Sequence, residues 1–227
     1  MDKNNILEAV KELRKNSKER NFSQTFDLQV KLHNMDLKKP ENKFETFVAM
    51  PNKRGRKVKV CALVGGSLFK DAQESADLAI IQDDFKNITQ NKKEVKNIVR
   101  EHDFFIAQAD IMAAVATSFG RYLGPKSKMP NPKAGCIVAP KGNIKNIVEK
   151  LQRTVRLAVK SELSVKCSVG KDDMDDEKIA ENIMAAYQGL VNALPQHENN
   201  IKFAAIKFTM SKAVKIGGKK WVNLKLS

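Results

Sequence analysis

The sequence predicts an α/β protein in which two kinds of sheet occupy different parts of the chain. Polar and apolar residues alternate near both ends, which is typical of half-buried antiparallel strands. In the middle, short and wholly apolar runs alternate with helical patterns, which is typical of a parallel sheet covered on both faces. We therefore expect an α+β terminal domain with an antiparallel-type sheet and helices, plus an inserted three-layer α/β domain. The 42% hydrophobic content of the 227 residues is typical of packed globular domains.

The N-terminal segment predicts a helix followed by two strands. Residues 2–16 carry apolar residues at helical spacing. From Phe22 to His33 the apolar period changes to two, which predicts a half-buried strand. A second strand is expected at 44–50, before Pro51. Because only a short polar link joins these two strands, we expect them to form an antiparallel pair.

The middle of the chain alternates between predicted strands and helices. The pattern changes at Asn52–Lys57, where a basic run precedes the first apolar strand. Asp110 and Asn143 are expected to cap the N-termini of two helices. In chain order, we expect a strand at 58–64, a helix through Ala76, strands at 78–81 and 104–107 separated by a helix at 92–100, a helix from Asp110 to Phe119, and a helix from Asn143 that includes Leu151.

Alternation with a period of two returns after the insertion. Strands are expected at 155–159, 163–169 and 201–209, with a helix after the acids Asp172 to Glu177. We interpret residues 1–56 and 158–227 as one discontinuous domain and residues 57–157 as the inserted domain. The two chain crossings predict a hinge, which we place at Gly55, Arg56 and Lys160.

A segment rich in glycine and proline, Gly120–Pro132, lies within the insertion. Its two glycines and three prolines fix turns and remove backbone donors, so we expect a shaped loop. Its basic side chains, Arg121, Lys126 and Lys128, are expected to point outward. The surrounding tract, residues 111–148, contains six Lys or Arg and no Asp or Glu. This concentration of positive charge predicts a polyanionic partner.

The formal net charge of +15 predicts a surface that attracts nucleic acid or anionic lipid. Two features favour nucleic acid over a membrane. No apolar run approaches the roughly 20 residues of a spanning helix, and neither end has a signal-peptide or lipidation pattern. The three cysteines are far apart and form no Cys-x-x-Cys motif, which indicates a reducing compartment. We therefore expect a cytoplasmic protein without a membrane partner.

Signatures of catalysis, metal binding and cofactor binding are weak. Gly65-Gly66-Ser67 resembles a nucleotide-binding turn, but the further glycines and the lysine of a phosphate loop are missing. The acids from Asp172 to Glu177 lack the glycine and terminal glutamate of a calcium loop, so helix capping explains them better. The three histidines are isolated from one another. We predict no enzyme activity, no metal site and no cofactor.

Polar residues on the predicted strand faces are better candidates for a binding site. Hydroxyl, amide and lysine groups on one sheet face are suited to contact the 2'-OH and phosphate groups of folded RNA. The candidates are Ser23, Thr25 and Asp27 of the first strand, Lys166 and Ser168 of the strand after the insertion, and Thr209-Met210-Ser211-Lys212. Periodicity alone leaves open whether each is simply part of a solvated strand face. The 6% aromatic content argues against a platform that stacks single-stranded bases.

Several motifs together resemble one protein family. The pattern Gly120-Arg121-x-Leu123-Gly124-Pro125-Lys126-x-Lys128-Met129-Pro130-x-Pro132 is similar to the signature of the first ribosomal protein of the large subunit, which lies in the mobile stalk beside the tRNA exit site. Other stretches resemble the archaeal branch of that family: Asn21-Phe22-Ser23-Gln24-Thr25-Phe26, Lys39-Pro40-Glu41-Asn42, the run from His102 to Asp110, and Phe208-Thr209-Met210.

This resemblance implies a fold and a function. The termini would form an RNA-binding domain, the middle a Rossmann-like insertion, and a hinge would join them. The protein would be a structural, non-catalytic ribosomal protein that binds 23S-type rRNA of the large subunit at the mobile stalk. It would also assist release of deacylated tRNA from the exit site and repress translation of its own operon mRNA. We expect a monomer when the protein is off the ribosome.

The resemblance also implies which residues bind RNA. Carried onto this chain, the family's rRNA and mRNA contacts fall at Phe22, Thr25, Asp27, Lys166, Ser168, Thr209, Met210 and Ser211. Arg121, Lys126 and Lys128 would make a secondary contact with stalk RNA or exit-site tRNA. One departure concerns the family's Thr-Met-Gly-Pro, which is Thr209-Met210-Ser211-Lys212 here, so a glycine that permits close backbone approach is replaced. Lys212 would compensate through a phosphate contact.

Two alternatives to this function stay open at the level of sequence. One is a nucleotide-dependent enzyme built on the inserted parallel sheet, for which ATP or NAD would stabilise the protein. The other is a nonspecific nucleic-acid binder, for which binding would depend steeply on salt and little on RNA sequence.

Overall fold

The chain forms two compact units in a computed structural model that describes residues 1–39, 42–140 and 142–217 and the backbone of 221–222. Unit 1 comprises Met1–Arg56 and Arg153–Ser227, and unit 2 comprises Lys57–Gln152. Pro40 and Glu41 of the predicted connector motif lie outside the described residues.

The second crossing between the units differs from the expected position. Residues 153–157, which we expected in the insertion, belong to unit 1 because Thr154–Val159 forms a strand that pairs within that unit. Gly55 and Arg56 immediately precede the first crossing. Lys160 lies beyond the second crossing, in the link after that strand, and so does not mark it.

The helices and strands follow one another along the chain, with short 3₁₀ turns between some of them. In order they are α1 (Lys3–Asn16), β1 (Thr25–Leu32), β2 (Phe44–Ala49), β3 (Val60–Val64), α2 (Phe69–Ser75), β4 (Leu78–Ile81), α3 (Phe85–Gln90), α4 (Lys92–Glu101), β5 (Phe104–Gln108), α5 (Met112–Leu123), β6 (Ile137–Val138), α6 (Ile144–Arg153), β7 (Thr154–Val159), β8 (Ser164–Lys171), α7 (Asp176–Ala193), β9 (Ile201–Phe208), β10 (Ala213–Lys215) and β11 (Trp221–Val222).

Unit 1 contains an antiparallel sheet with the strand order β11-β10-β9-β1-β8 and a separate antiparallel pair, β2-β7. The expected pairing of β1 with β2 is therefore wrong. Strand β1 pairs instead with β8 and β9, and β2 pairs with β7, and these partners all come from the C-terminal half of the chain. Periodicity gives the buried face of a strand but does not identify its neighbour.

The core of unit 1 lies between the inner face of the large sheet and two helices. Alternate residues of β1 are buried, and they pack with one apolar stripe of α1 and one of α7. The main contributors are Phe26, Leu28 and Val30 from β1, Ile6, Val10 and Leu13 from α1, and Ile179, Ile183 and Leu190 from α7. Gly189 lets α7 approach β2 closely, because a Cβ at this position would overlap the side chain of Val48.

Arg14 connects α1 to the start of α7. Its guanidinium donates to the carboxylates of Asp176 and Asp172, at 2.7 and 2.8 Å, and to the carbonyl oxygen of Met174 at 2.7 Å. It also lies 5.2 Å from the ring centroid of Phe26. Asp176 is in the first turn of α7, as expected. Pairing with Arg14 is thus a second role for the acidic run.

Unit 2 is built on a parallel sheet with the strand order β4-β3-β5-β6, which confirms the predicted α/β arrangement of the middle segment. Cys61, Leu63 and Phe105 pack against buried residues of α3, α4 and α5. Val60 and Ile106 point to the opposite face and are fully buried as well, so both faces of the sheet are covered.

Two helix starts in unit 2 test the capping predictions. Asn143 accepts a hydrogen bond from the backbone N–H of Asn146 at 3.3 Å, as expected for the start of α6. Asp110 does not cap α5, because Ile111 occupies the N-cap position and the Asp110 carboxylate accepts from the side-chain amide of Gln108. Helix α5 also continues to Leu123 and so includes the first residues of the segment that we expected to be a loop.

Candidate nucleic-acid interface

The outer face of the large sheet in unit 1 brings three side chains into one row. Asp27 of β1 lies directly opposite Ser168 of β8 and Lys207 of β9 in the strand register. Side chains opposite one another on a sheet face are close enough to interact. Burial raises the pKa of the Asp27 carboxyl, and the nearby Lys207 partly opposes this effect. The row therefore presents a carboxylate, a hydroxyl and an ammonium group side by side.

Further lysines extend this row along the sheet. Lys166 lies opposite Gln29, and Lys31 lies opposite Phe203. On the neighbouring strand β10, the ammonium of Lys215 lies 5.8 Å from the ring centroid of Phe203. Together with Lys207, these lysines give four strands of the sheet a cation on the same face. Such a surface favours a phosphate backbone.

One end of the sheet carries exposed apolar side chains, and we call the residues 22–25 and 209–212 the rim. The backbone N–H of Thr25 donates to the hydroxyl of Thr209 at 3.2 Å, which holds the two chain segments together. Phe22 and Met210 are 52% and 62% exposed. Among the described residues, Met1 is the only other exposed large hydrophobic residue, at 37%. Exposed apolar groups of this kind mark interaction sites when they are clustered.

Phe22 lies outside the strand in which the sequence pattern placed it. The strand begins at Thr25, so Phe22 and Ser23 precede it and are exposed. The alternation beginning at Phe22 was therefore read three residues too early. Thr25 and Asp27 remain on the outer face, as expected from the alternation.

Ser211 closes the turn after β9. Its hydroxyl accepts a hydrogen bond from the N–H of Phe208 at 2.8 Å and donates to the carbonyl oxygen of Lys212 at 2.9 Å. The backbone at Ser211 does not lie in the left-handed region. A glycine is therefore not needed for this turn conformation, and the serine supplies a hydrogen bond that glycine cannot make.

Sequence reasoning missed two basic residues at this site. Lys207 lies in the lysine-rich C-terminal segment, where it was not singled out. The alternation of β9 could have placed its side chain on the outer face of the sheet. Arg54 donates from Nη1 to the hydroxyl of Ser168 at 3.2 Å. The only sequence signal for Arg54 was the basic run at 52–57, because its contact with β8 joins residues far apart in the chain.

The basic segment of unit 2 differs from expectation at one of its three cations. Arg121 and Lys126 are exposed, whereas Lys128 is half-buried. The ammonium of Lys128 donates to the carbonyl oxygens of Val99 and His102 at the end of α4. Its outward orientation was therefore predicted wrongly, because the open carbonyls of a helix end attract a cation.

The carboxyl end of the parallel sheet in unit 2 is where a nucleotide would bind in an α/β enzyme. The strand order reverses between β3 and β5, which makes this the expected crevice. Here the side chain of Gln108 accepts a hydrogen bond from the N–H of Gly65 at 2.9 Å. The N–H of Gly65, one of the backbone donors of the glycine turn, is thus paired with a side chain of the protein itself.

The cysteines and His102 are buried in the part of the chain that the structure describes. The three cysteines are free and buried, and burial raises the pKa values of the Cys61 and Cys167 thiols to about 12. His102 is buried, and its Nδ1 lies 2.9 Å from the carbonyl oxygen of Ile98. No group of three or more potential metal ligands occurs among the residues described. Within the same residues, no helix combines the length and the apolar character that a membrane span requires.

A basic, hydroxyl-bearing sheet face in an α/β protein is typical of the class of nucleic-acid-binding proteins. Within this class, the chain belongs to the Ribosomal protein L1p/L10e family, whose family model matches residues 13–212.

Relatives match almost the whole chain. It is 37% identical to the large ribosomal subunit protein uL1 of Thermococcus kodakarensis over 217 residues, which cover 95% of this chain and 98% of the relative. The uL1 proteins of Methanothermobacter thermautotrophicus and Methanothermococcus thermolithotrophicus are each 39% identical to it, over 93% and 95% of this chain and 98% and 99% of their own lengths.

These similarities confirm the resemblance inferred from the Gly120–Pro132 pattern, including its archaeal character. The family consists of structural ribosomal proteins, so the prediction that this protein is not an enzyme is also confirmed, and the nucleotide-dependent alternative is excluded. Ribosomal proteins of this archaeal type are cytoplasmic, which confirms the expected location.

Proposed function

We propose that the protein is a component of the large ribosomal subunit that binds 23S-type rRNA at the mobile stalk through the sheet face and rim of unit 1. One observation carries this proposal: the row Ser168, Asp27 and Lys207 lies on the outer face of the sheet, and the rim with its exposed Phe22 and Met210 lies at one end of the same sheet. Charged, hydrogen-bonding and apolar contacts are then available to one RNA surface.

The chemistry of the row fits RNA better than DNA. A carboxylate repels phosphate, so Asp27 needs a hydrogen-bond donor as its partner, and the ribose 2'-OH is the donor that distinguishes RNA. The hydroxyls of Ser168 and Thr209 accept and donate at the same surface, while Lys166 and Lys207 neutralise phosphates. Phe22 and Met210 cover apolar faces of a ribose or a base.

Matched lysines on one strand test the site. Lys207 lies in the row, whereas Lys202, also on β9, is exposed but falls outside the row. We expect Lys207→Gln to weaken binding of a stalk rRNA fragment by about tenfold relative to Lys202→Gln, because a charged hydrogen bond is lost. A scrambled RNA at two salt concentrations provides the comparison for selectivity. Equal binding of both RNAs by the unmodified protein would overturn the proposal.

We further propose that unit 2 assists release of deacylated tRNA from the exit site. The exposed cations Arg121 and Lys126 support this role, and Gly55 and Arg56 remain the proposed hinge at the first crossing. Gly55 has φ +73°, and a Cβ there would lie 3.1 Å from the Cβ of Lys171. Ribosomes carrying Arg121→Gln with Lys126→Gln should release exit-site tRNA more slowly. An unchanged release rate would count against this role.

Repression of the protein's own operon mRNA is the third part of the proposal. A messenger segment that copies the shape of the rRNA site would occupy the same sheet face, and the protein would act as a monomer off the ribosome. Lys207→Gln should then weaken rRNA and messenger binding in parallel. Loss of rRNA binding with unchanged translation of an operon reporter would separate the two activities and contradict a shared site.

A further inference from the structure

A cleft of about 600 Å³ lies beside the rim of unit 1. Its walls come from the C-terminal end of α1, the link between α1 and β1, and the turn after β9. The lining residues are Asn16, Ser17, Lys18, Arg20, Gln24, Met210, Ser211 and Lys212. Three of them are cations and none is an acid. The cleft is therefore a basic recess that adjoins the sheet face without belonging to it.

The hydroxyl of Ser17 gives a second, independent indication of a ligand. Its oxygen is buried, and among the described residues it has no hydrogen-bond partner. A buried hydroxyl without a partner is unusual, because its desolvation is uncompensated. Three exposed cations line the same cleft as this unused donor, and an oxyanion is the ligand that both kinds of group favour.

We infer that this cleft binds backbone phosphates of an RNA strand, with Lys18, Arg20 and Lys212 as the cations and Ser17 as the hydroxyl donor. The inference rests on the proposed function, since it extends the RNA path from the sheet face past Met210 into the cleft. Met210 lines the cleft and is also an exposed residue of the rim, so its side chain connects the cleft with the rim. Lys212 belongs to the rim itself, and its carbonyl oxygen accepts a hydrogen bond from the Ser211 hydroxyl that closes the turn.

The salt dependence of RNA binding tests the cleft separately from the sheet face. Each phosphate contact contributes about 0.7 to the slope of log affinity against log salt for a single strand. The double variant Lys18→Gln, Arg20→Gln, which leaves the rim intact, should therefore lower this slope by about 1.4, while preference for the stalk fragment over a scrambled RNA is kept. The control variant Lys92→Gln, Lys93→Gln removes the same charge from the exposed face of α4 and should leave the slope unchanged.

Phosphate ethylation locates the contact on the RNA. Ethylation of individual phosphates of the stalk fragment should weaken binding to the unmodified protein at two or three adjacent positions, and the cleft variant should lose this interference at those positions. Ser17→Ala should reduce affinity severalfold without lowering the melting temperature, because its hydroxyl has no partner in the free protein.

The outcomes distinguish the cleft from the proposed function. If the unmodified protein shows no fragment preference, the proposed function fails. If the preference is present but the slope and the interference pattern of the cleft variant equal those of the unmodified protein, only the cleft inference is overturned. A slope that falls equally in the control variant would show a general charge effect and would also overturn it.

Discussion

The ammonium of Lys128 lies 2.6 Å from the carbonyl oxygen of His102, at the C-terminal end of α4. A second bond, of 2.8 Å, joins it to the carbonyl oxygen of Val99. Carbonyls in the last turn of a helix lack partners within the helix, and positive charge is favourable there. Lys128 therefore links the Gly120–Pro132 segment to the C-terminal end of α4 within unit 2.

Replacing Lys128 by methionine should destabilise unit 2. The change keeps an apolar stem but leaves two carbonyl oxygens without a donor, so the free energy of unfolding should fall by about 2 kcal/mol. Hydrogen exchange of amides in α4 and β5 measures this locally. Lys126→Met is the matched control, because Lys126 is exposed, and it should leave protection unchanged. Equal protection in both variants would show that the contact contributes no stability.

Arg14→Met should destabilise unit 1 by about 2 kcal/mol, since hydrogen bonds from a guanidinium to carboxylates are strong. The Arg14 side chain is 31% exposed, so solvent screening keeps the loss below the sum of its separate bonds. Urea unfolding followed by circular dichroism gives the free energy. Lys15→Met, on the exposed face of the same helix, serves as the comparison and should change stability by less than about 0.5 kcal/mol.

The parallel sheet of unit 2 was predictable because its strands are wholly apolar, and a continuous apolar run needs cover on both faces. The partner of β1 was not predictable, because periodicity tells which face of a strand is buried but not which strand lies beside it. The same limit applies to the site. Alternation placed Asp27 and Ser168 on the exposed faces of their strands, whereas the position of Ser168 and Lys207 directly opposite Asp27 became visible only through the register.

Short strands and side-chain contacts between distant residues could also not be predicted from the sequence. Strand β6 has 2 residues and β10 has 3, too few for a period to appear. The bond from Lys128 to His102 spans 26 residues, and no local pattern distinguishes this lysine from the exposed Lys126.

Phe22→Ser and Met210→Ser should each weaken binding of the stalk fragment by about tenfold, because contact with apolar surface of the RNA is lost. Both side chains are exposed, so the free energy of unfolding should change by less than about 0.5 kcal/mol. Phe22→Leu keeps an apolar side chain and should keep most of the affinity. If the leucine variant binds as weakly as the serine variant, the aromatic ring itself makes the contact.

Ser211→Ala should lower the melting temperature, because the N–H of Phe208 loses its acceptor. The expected cost is about 1 kcal/mol, typical of one neutral hydrogen bond. Ser164→Ala is a suitable comparison, because the Ser164 hydroxyl donates to the carboxylate of the exposed Glu162. Ser211→Gly restores the family residue yet also lacks the hydroxyl, so it should be no more stable than the alanine variant. A glycine variant as stable as the unmodified protein would show that the turn does not depend on this bond.

Asp27→Asn should separate stability from RNA binding. Burial raises the pKa of the Asp27 carboxyl above 3.8 in the folded protein, so the unfolded chain releases this proton at lower pH. The free energy of unfolding therefore falls as the pH rises from 3.8 through the raised pKa, and it stays lower above it. The asparagine variant avoids this loss, so it should melt at a higher temperature than the unmodified protein at pH 7, and the difference should shrink on acidification.

The same substitution should weaken binding of the stalk fragment by about tenfold, because an amide oxygen is a poorer acceptor for a 2'-OH than a carboxylate. Melting curves at pH 7 and pH 4, combined with RNA titrations, measure both effects. Asp173→Asn removes an exposed acid of unit 1 and should change neither quantity. Higher stability together with unchanged RNA affinity would remove Asp27 from the site. A carboxylate that costs the folded protein stability and strengthens RNA binding is retained for recognition, which is the role its place between Ser168 and Lys207 supports.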